Sequence, residues 1–470
     1  MHRLLVAASA LALAGCAVGP DYAAPRHPQS ASGTFVAAQG PAVTAAEPVA
    51  GDWWRLYDDP VLDRLVAEAL AANTDVRVAI ARVARARAQL RGAGVERLPQ
   101  ATLGGGAQYG RLPEGQRAPG APREDWTVDA GLSVSYEVDL FGRVGRGVEA
   151  AQGDLDAALA DADAVRVMVA AETARAYADA ASSAARLEVA RHIVALLDRS
   201  LALTAKRAEA GLATRLEVTR IAALREQRQA DVPAIAAERD AALFRLATLT
   251  GRAPGDLPPD AAARMTMLEI ARPIPVGDGA GLLARRPDVR AAERRLAAAT
   301  ARIGVATADL YPRITLGASA GSTGDGFGDF LGAGPLRWLA GPLLSWAINP
   351  SAARARIAGA EAGSQEALAG FDGTVLEALR ETETALSAYA HALERRVALR
   401  RARDEAAHAA EITRARQREG AIDALEALDA ERTLADAQAA LALADATIAG
   451  RQIDLFRALG GGWQQAGGQG

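Results

Sequence analysis

Few side chains in this 470-residue sequence are of types that do chemistry, and their spacing narrows the field further. Histidines occur at His2, His27, His192, His391 and His408. They are scattered, with no HExxH or similar interval that would set two imidazoles toward one metal ion. Gly324, Gly326 and Gly328 stop short of the GxGxxG that cradles a pyrophosphate, and they fall in a loop after a strand. Met265 and Met267 make a lone thioether pair that ordinary packing explains. With no grouped nucleophile, base and orienting carboxylate, neither an enzyme nor a cofactor is expected. The one suggestive pattern is Asp429 with Arg432 three residues on and Leu425 one turn earlier. By spacing alone, that is a solvated helix face carrying an i,i+3 ion pair.

The remaining reactive group is the thiol of Cys16, the only cysteine, so no intramolecular disulfide or thiolate cluster can form. Arg3 precedes a short apolar run, Leu4 to Ala12, closed by Leu13-Ala14-Gly15. That run is too short to span a bilayer and reads as a cleaved export signal, residues 1–15. A cysteine at this place resembles a lipobox, where the thiol is acylated and becomes the new N-terminus. Several acyl chains on one residue hold a membrane firmly, whereas one binds marginally. Ala17 stands where retention at the inner membrane usually resembles an aspartate pattern, so sorting to the outer membrane is expected. Residues 16–52 are rich in Pro, Ala, Gly and Ser and read as a lipidated, extended tether.

The composition indicates what must carry these residues. Hydrophobic residues make up 50% of the chain and aromatics only 4%. Alanine supplies most of the apolar surface, which favours long helices with close axes over a bulky core. A net charge of −4 gives no reason to expect nucleic acid, and Lys206 is the only lysine. Helical periodicity runs from Pro60 to about Glu96, with Leu62, Leu65, Val66, Ala69 and Leu70 on one face, and Pro99 stops it. Residues 101–110 and 127–140 switch to period two. In the second, Val128, Ala130, Leu132, Val134, Tyr136 and Val138 alternate with polar residues, as in a strand whose two sides meet different media. From Arg143 to about Glu209 an apolar path recurs about every 3.5 residues, the coiled-coil value, in a helix of roughly 100 Å. Gly211 breaks it and a second helix returns over about 214–249, with Pro233 expected to kink it.

The order then repeats at an offset of roughly 210 residues. Asp288-Val289-Arg290 answers Asp75-Val76-Arg77, and Tyr311-Pro312 answers Leu98-Pro99. Ser345-Trp346 answers Ser135-Tyr136, and Gly420 answers Gly211. A first repeat at 53–250 contains the helical hairpin 143–249. A second at 286–460 contains strands at about 313–320 and 339–348 and a hairpin at about 352–459. A proline-rich connector, 251–285, lies between them, and 461–470 reads as a flexible tail. Four strands leave two open edges, which a membrane does not tolerate. Membrane barrels close at eight strands or more, a number that three copies of the chain exceed. Tyr109, Trp126, Tyr136, Phe141, Tyr311, Trp338 and Trp346 lie in or beside the strands, as an interfacial girdle requires. A periplasmic adaptor would show one hairpin flanked by β-rich domains, and a structural coiled-coil lipoprotein would lack the alternating strands.

Four stretches carry a resemblance: CAVGPDY from Cys16, SYEVDLFGR from Ser135, RRPDVRAAERRLAAATARIGVATADLYP from Arg285, and GAIDALEALDAER from Gly420. With the repeat they cover nearly the whole mature chain. The sequence resembles the TolC-like outer-membrane factors, in particular the lipidated branch that serves tripartite (resistance-nodulation-division) efflux pumps. The resemblance implies a mainly α fold with a transmembrane β-barrel, a homotrimer closing a 12-stranded barrel above a 12-helix periplasmic tunnel. It implies an exit duct to the exterior, fed by an inner-membrane transporter through a periplasmic adaptor. Asp429 matches the aspartate of the family's periplasmic gate, Arg432 its tethering partner, and Leu425 an apolar constriction. The tips around Gly211, Leu212, Thr214 and Leu216, and around Gly420, Ala421 and Leu425, match the adaptor contacts.

Overall fold

Alanine-rich stretches uninterrupted by helix breakers set the scale of the structure. In the computed structural model, Arg143–Glu209 and Ser351–Arg418 are single helices of 67 and 68 residues. The structure describes residues 17–26, 31–38, 40–45, 51–111, 113, 120, 122–257, 259–270, 272–325, 336–419, 421–422 and 424–461. The expected signal peptide, Cys16, Gly420 and the tail beyond Gly461 lie outside them.

In chain order the elements are β1 (Val43–Thr44), α1 (Pro60–Ala72), α2 (Thr74–Val95), β2 (Gln100–Arg111), β3 (Glu124–Val138), α3 (Arg143–Glu209) and α4 (Arg215–Leu249). There follow α5 (Pro259–Ala263), β4 (Ile274–Pro275), α6 (Gly279–Arg285), α7 (Pro287–Ala308), β5 (Arg313–Asp325), β6 (Leu336–Ser345), α8 (Ser351–Arg418) and α9 (Ala424–Ala458). The single helix expected over 60–96 is two. Asn73 ends α1 by donating its backbone N–H to the Ala69 carbonyl. Its side chain then accepts from the N–H groups of Asp75 (2.8 Å) and Val76 (3.3 Å) to start α2. Helix α4 runs on through Pro233, where a kink was expected, and Pro233 takes an exposed position. The last strand ends at Ser345 instead of 348. Beyond it, the Trp346 indole N–H donates to the Leu310 carbonyl at 3.0 Å, outside any ladder.

Contacts divide the chain into two compact units. Unit 1 (Met1–Pro25, Arg82–Leu159, Ala291–Asp372) holds an antiparallel sheet of order β2-β3-β5-β6. Each half of the chain contributes one hairpin, and the β3–β5 pairing from Thr127↔Asp325 to Val138↔Ile314 joins them. Pro342 lies in β6, the edge of the sheet within one chain.

Unit 2 (Arg26–Ala81, Ala160–Arg290, Gly373–Gly470) holds the main apolar core. Trp53 stacks on Phe456 with centroids 4.6 Å apart, among Leu62, Leu65, Tyr177, Leu246 and Ile453. Buried Asp59 caps α1 through the N–H groups of Val61 and Leu62. It also accepts from the Tyr177 hydroxyl at 3.1 Å and from Arg264 Nη1 at 2.5 Å. The segment expected as an extended tether is packed against this unit. Phe35 is in the core, Glu383 accepts from the Val36 and Ala37 N–H groups (2.7 and 2.8 Å), and β1 pairs in parallel with β4 of the connector. The physical reason is that small and proline-rich residues cost little entropy to lay flat against a surface.

Candidate functional site

No helix among the described residues is long and apolar enough to cross a membrane, so the sheet is the element to inspect. Directly paired residues share a face, and the register sorts them by polarity. On one face lie Tyr109 with Trp126, Leu103 with Leu132, Ala320 and Trp338, and Tyr136 with Leu316 and Pro342. Val138, Ile314 and Leu344 complete it. On the other face lie Gln108 with Thr127, Asp129 with Thr323, Thr102 with Ser133 and Ser319, and Glu137 with Thr315, and here β6 adds the apolar Leu339 and Leu343. Leu103, Trp338 and Leu344 on the apolar face are all largely exposed. An apolar surface of that extent marks a contact with something other than water. Aromatic pairs sit toward both ends of the sheet: Tyr109 and Trp126 at 5.6 Å, Phe141 and Tyr311 at 4.5 Å. Trp126 and Tyr136 are ten residues apart on β3, roughly 33 Å along the strand at about 3.3 Å per residue. Tilted as barrel strands are, that spans an apolar band of about 25 Å.

The SYEVDLFGR stretch forms the joint between β3 and α3. Asp139 accepts from the N–H groups of Val144 (3.0 Å) and Gly145 (2.7 Å), satisfying the first turn of α3. Arg143 donates twice to Glu137, at 2.7 and 2.9 Å, and once to Glu96 at 3.2 Å. A cavity of about 280 Å³ at this joint is lined by Glu137, Arg143, Asp309, Tyr311, Arg313 and Arg356.

At the other end of the long helices are two turns. In the first, the Leu212 N–H reaches back to the Arg207 carbonyl (2.7 Å) and the Gly211 N–H to Ala208 (3.0 Å). This closure puts Gly211 at φ +75°, which glycine alone adopts without strain. Thr214 and Glu217 then form a reciprocal capping box that starts α4. Leu212 and Leu216 are 77% and 58% exposed, costly for a free surface and suited to a partner. In the second turn the Ala421 N–H reaches the Arg416 carbonyl at 2.9 Å, the same six-residue closure. Behind the turns, Arg414 of α8 pairs with Glu431 of α9, and Arg228 of α4 with Asp436 of α9. Ile193, Leu197, Leu224 and Ala435 pack together, with Leu428 against them.

The expected gate residues fall as follows. Leu425 lies in α9, and its side chain is outside the described residues. Asp429 is exposed, and among the described residues its carboxylate makes no ion pair, while its backbone carbonyl accepts from Thr433. Within the chain, Arg432 makes no ion pair with Asp429 among the described residues. It approaches Asp436 at 4.0 Å, one turn onward, because i,i+4 neighbours face each other most closely on a helix. The Arg285-Arg286 pair, quoted above without a role, closes the end of α9. Arg285 Nε donates to the Leu459 carbonyl at 2.8 Å and Arg286 Nη1 to the Ala458 carbonyl at 2.9 Å. Burial still holds the Arg285 guanidinium below its ordinary range. A pair of arginines directly before Pro287 was the available signal, since helix C-termini leave carbonyls to satisfy.

Comparison with known proteins agrees with this geometry. The family model described as outer membrane efflux protein matches residues 65–252 and 281–461. The chain is 32% identical over 462 residues to the outer membrane protein OprJ of Pseudomonas aeruginosa, covering 97% of this chain and 95% of that protein. It is 32% identical over 419 residues to the pyoverdine export outer membrane protein OpmQ of Pseudomonas putida, covering 88% of each. Among solved structures, the outer-membrane channel OprN superposes with a TM-score of 0.88 at 37% identity, over 96% of this chain and 100% of that one.

Proposed function

The chain belongs to the outer membrane efflux protein family, and from that premise we propose how its parts work as the exit duct of a tripartite pump. The observation that carries the reading is the two-faced, four-stranded sheet with both edges open. Three chains in a ring would pair β6 of one with β2 of the next and leave no edge in the bilayer. The apolar face then meets lipid, and the hydroxyl, amide and carboxylate face lines the passage. Cys16 carries acyl chains that hold the N-terminus to the same membrane.

The helical turns are the docking points for a periplasmic adaptor, with Leu212, Thr214, Leu216 and Ala421 as contacts, together with Gly211, Gly420 and Leu425. Asp429 is the gate residue. Three unpaired carboxylates around a threefold axis repel one another, so the closed end is held by helix packing and by the Arg414–Glu431 and Arg228–Asp436 pairs. An adaptor that competes for those arginines loosens the tip. The cargo is a small organic molecule, a reading supported by the similarity to the pyoverdine export protein OpmQ. Its selection is left to the inner-membrane transporter.

Lys206, the only lysine, is exposed in the last turn of α3 beside the first tip. An amine-reactive cross-linker applied to intact cell envelopes should yield an adduct with the adaptor that disappears in Lys206→Arg. An adduct with the transporter alone, or none at all, refutes tip docking.

A further inference from the structure

The residues just after Cys16 are gripped, and the grip is built. Between Ala17 and Tyr22 the chain crosses the first turns of α3 and the body of α7, where side chains have been removed to let it through. Gly19 has φ +93°, and a β-carbon there would lie 2.5 Å from the Cα of Gly304. A β-carbon on Gly304 would meet Arg146 Cγ at 2.8 Å and the Val18 carbonyl at 3.0 Å. One on Gly142, at φ +78°, would sit 2.8 Å from the β-carbon of Ala17. A side chain at any of the three would force its neighbours to shift, and at Gly19 and Gly142 the positive φ adds strain.

Polar contacts complete the seat. The Val18 N–H donates to the Phe141 carbonyl at 3.2 Å. The Arg146 side chain is 8% exposed, and its two terminal nitrogens donate to Asp21 (2.6 Å) and Glu149 (2.8 Å). Removing Asp21 would leave that buried guanidinium short of a counter-ion. The Tyr22 hydroxyl donates to Glu293 at 2.8 Å, and Arg294 lies 5.6 Å over its ring. Burial, and then the Glu293 carboxylate, hold the phenol above its ordinary range.

We propose that the surface formed by Gly142, Arg146, Glu293, Arg294 and Gly304 is a binding site for the chain's own segment Ala17–Tyr22, which docks there as a clasp. The clasp ties α3, which descends from β3, to α7, which leads into β5. It therefore staples the two halves of the duplicated chain at the roots of their central strands. For the anchor, the consequence rests on the outer-membrane reading above. Acyl chains on Cys16 would be attached one residue before Ala17, which packs at the strand–helix joint. The lipid is then a fixed part of the barrel's base instead of the end of a leash.

The test severs the covalent link and asks whether the segment stays. A site-specific protease sequence is placed at residues 27–30 of the full-length chain. Residues 1–15 are replaced by a leader cleaved without lipidation, and Cys16→Ser is included, so that a detergent micelle cannot retain the fragment through a lipid or an apolar leader. After cleavage and gel filtration, the N-terminal fragment should co-elute with the remainder. The double variant Asp21→Ala, Tyr22→Ala, which alters only the fragment, should release it at least about tenfold faster. Gly304→Leu should do the same from the groove side, and if it fails to fold the fragment-side variant decides. Immediate loss of the unaltered fragment, or equal retention of the double variant, overturns the clasp. Single-channel conductance of the uncut chain reports on the duct separately, so either idea can fail alone.

Discussion

At the scale of single residues, the charge that bears on function is the carboxylate of Asp429, the proposed gate residue. Asp429 is exposed on α9 with no ion pair among the described residues, while Arg414, Arg228 and Arg432 are each engaged with other carboxylates. Within the chain Arg432 approaches Asp436, where a pairing with Asp429 was expected. A sequence states intervals along a helix, but rotamers and the facing helix choose between i,i+3 and i,i+4. On the proposed gate, Asp429 carboxylates with no ion pair among the described residues of their own chain need cations or pairs from neighbouring chains to hold the tip closed, so removing them loosens it. Asp429→Ala is expected to change the conductance of single channels in planar bilayers several-fold upward, the tip losing its polar ring. Conductance equal to that of the unaltered protein would reject Asp429 as a gate residue.

At the scale of elements, the two periodicities were plain in the residues and the ends were not. Period two over Val128–Val138 is enough to predict β3, because alternate side chains must take opposite faces. The strand's pairing with β5 was not legible, since nothing local to Val134 names Ala318 as its neighbour. The helix break at Asn73 is a capping event that a run of helix formers conceals. Faces give the sharpest prediction. Ala318 is on the apolar face and its neighbour Ser319 on the polar one. Ala318→Arg should cost about 2–4 kcal/mol, the range for arginine at the middle of a barrel's lipid face, whereas Ser319→Arg should cost little. Heat stability of the detergent-extracted oligomer on gels is the measurement. Equal effects of the two changes would mean that the faces are assigned wrongly.

At the scale of the whole molecule, the open edges of β2 and β6 require a closing partner, and a further copy of the same chain supplies both edges at once. Native mass spectrometry of detergent extracts is expected to show three copies, and a population of monomers alone would contradict closure. By itself the sequence determined the duplication, the long helices, the strand count and the family resemblance. All four follow from local spacing or from repetition along one dimension. Tertiary structure alone decided that the N-terminal residues pack against α3 and α7 and that Arg285 and Arg286 close α9. Each joins residues well over a hundred positions apart. Burial and close backbone approach select such contacts only after the chain has folded, so no interval in the sequence could announce them.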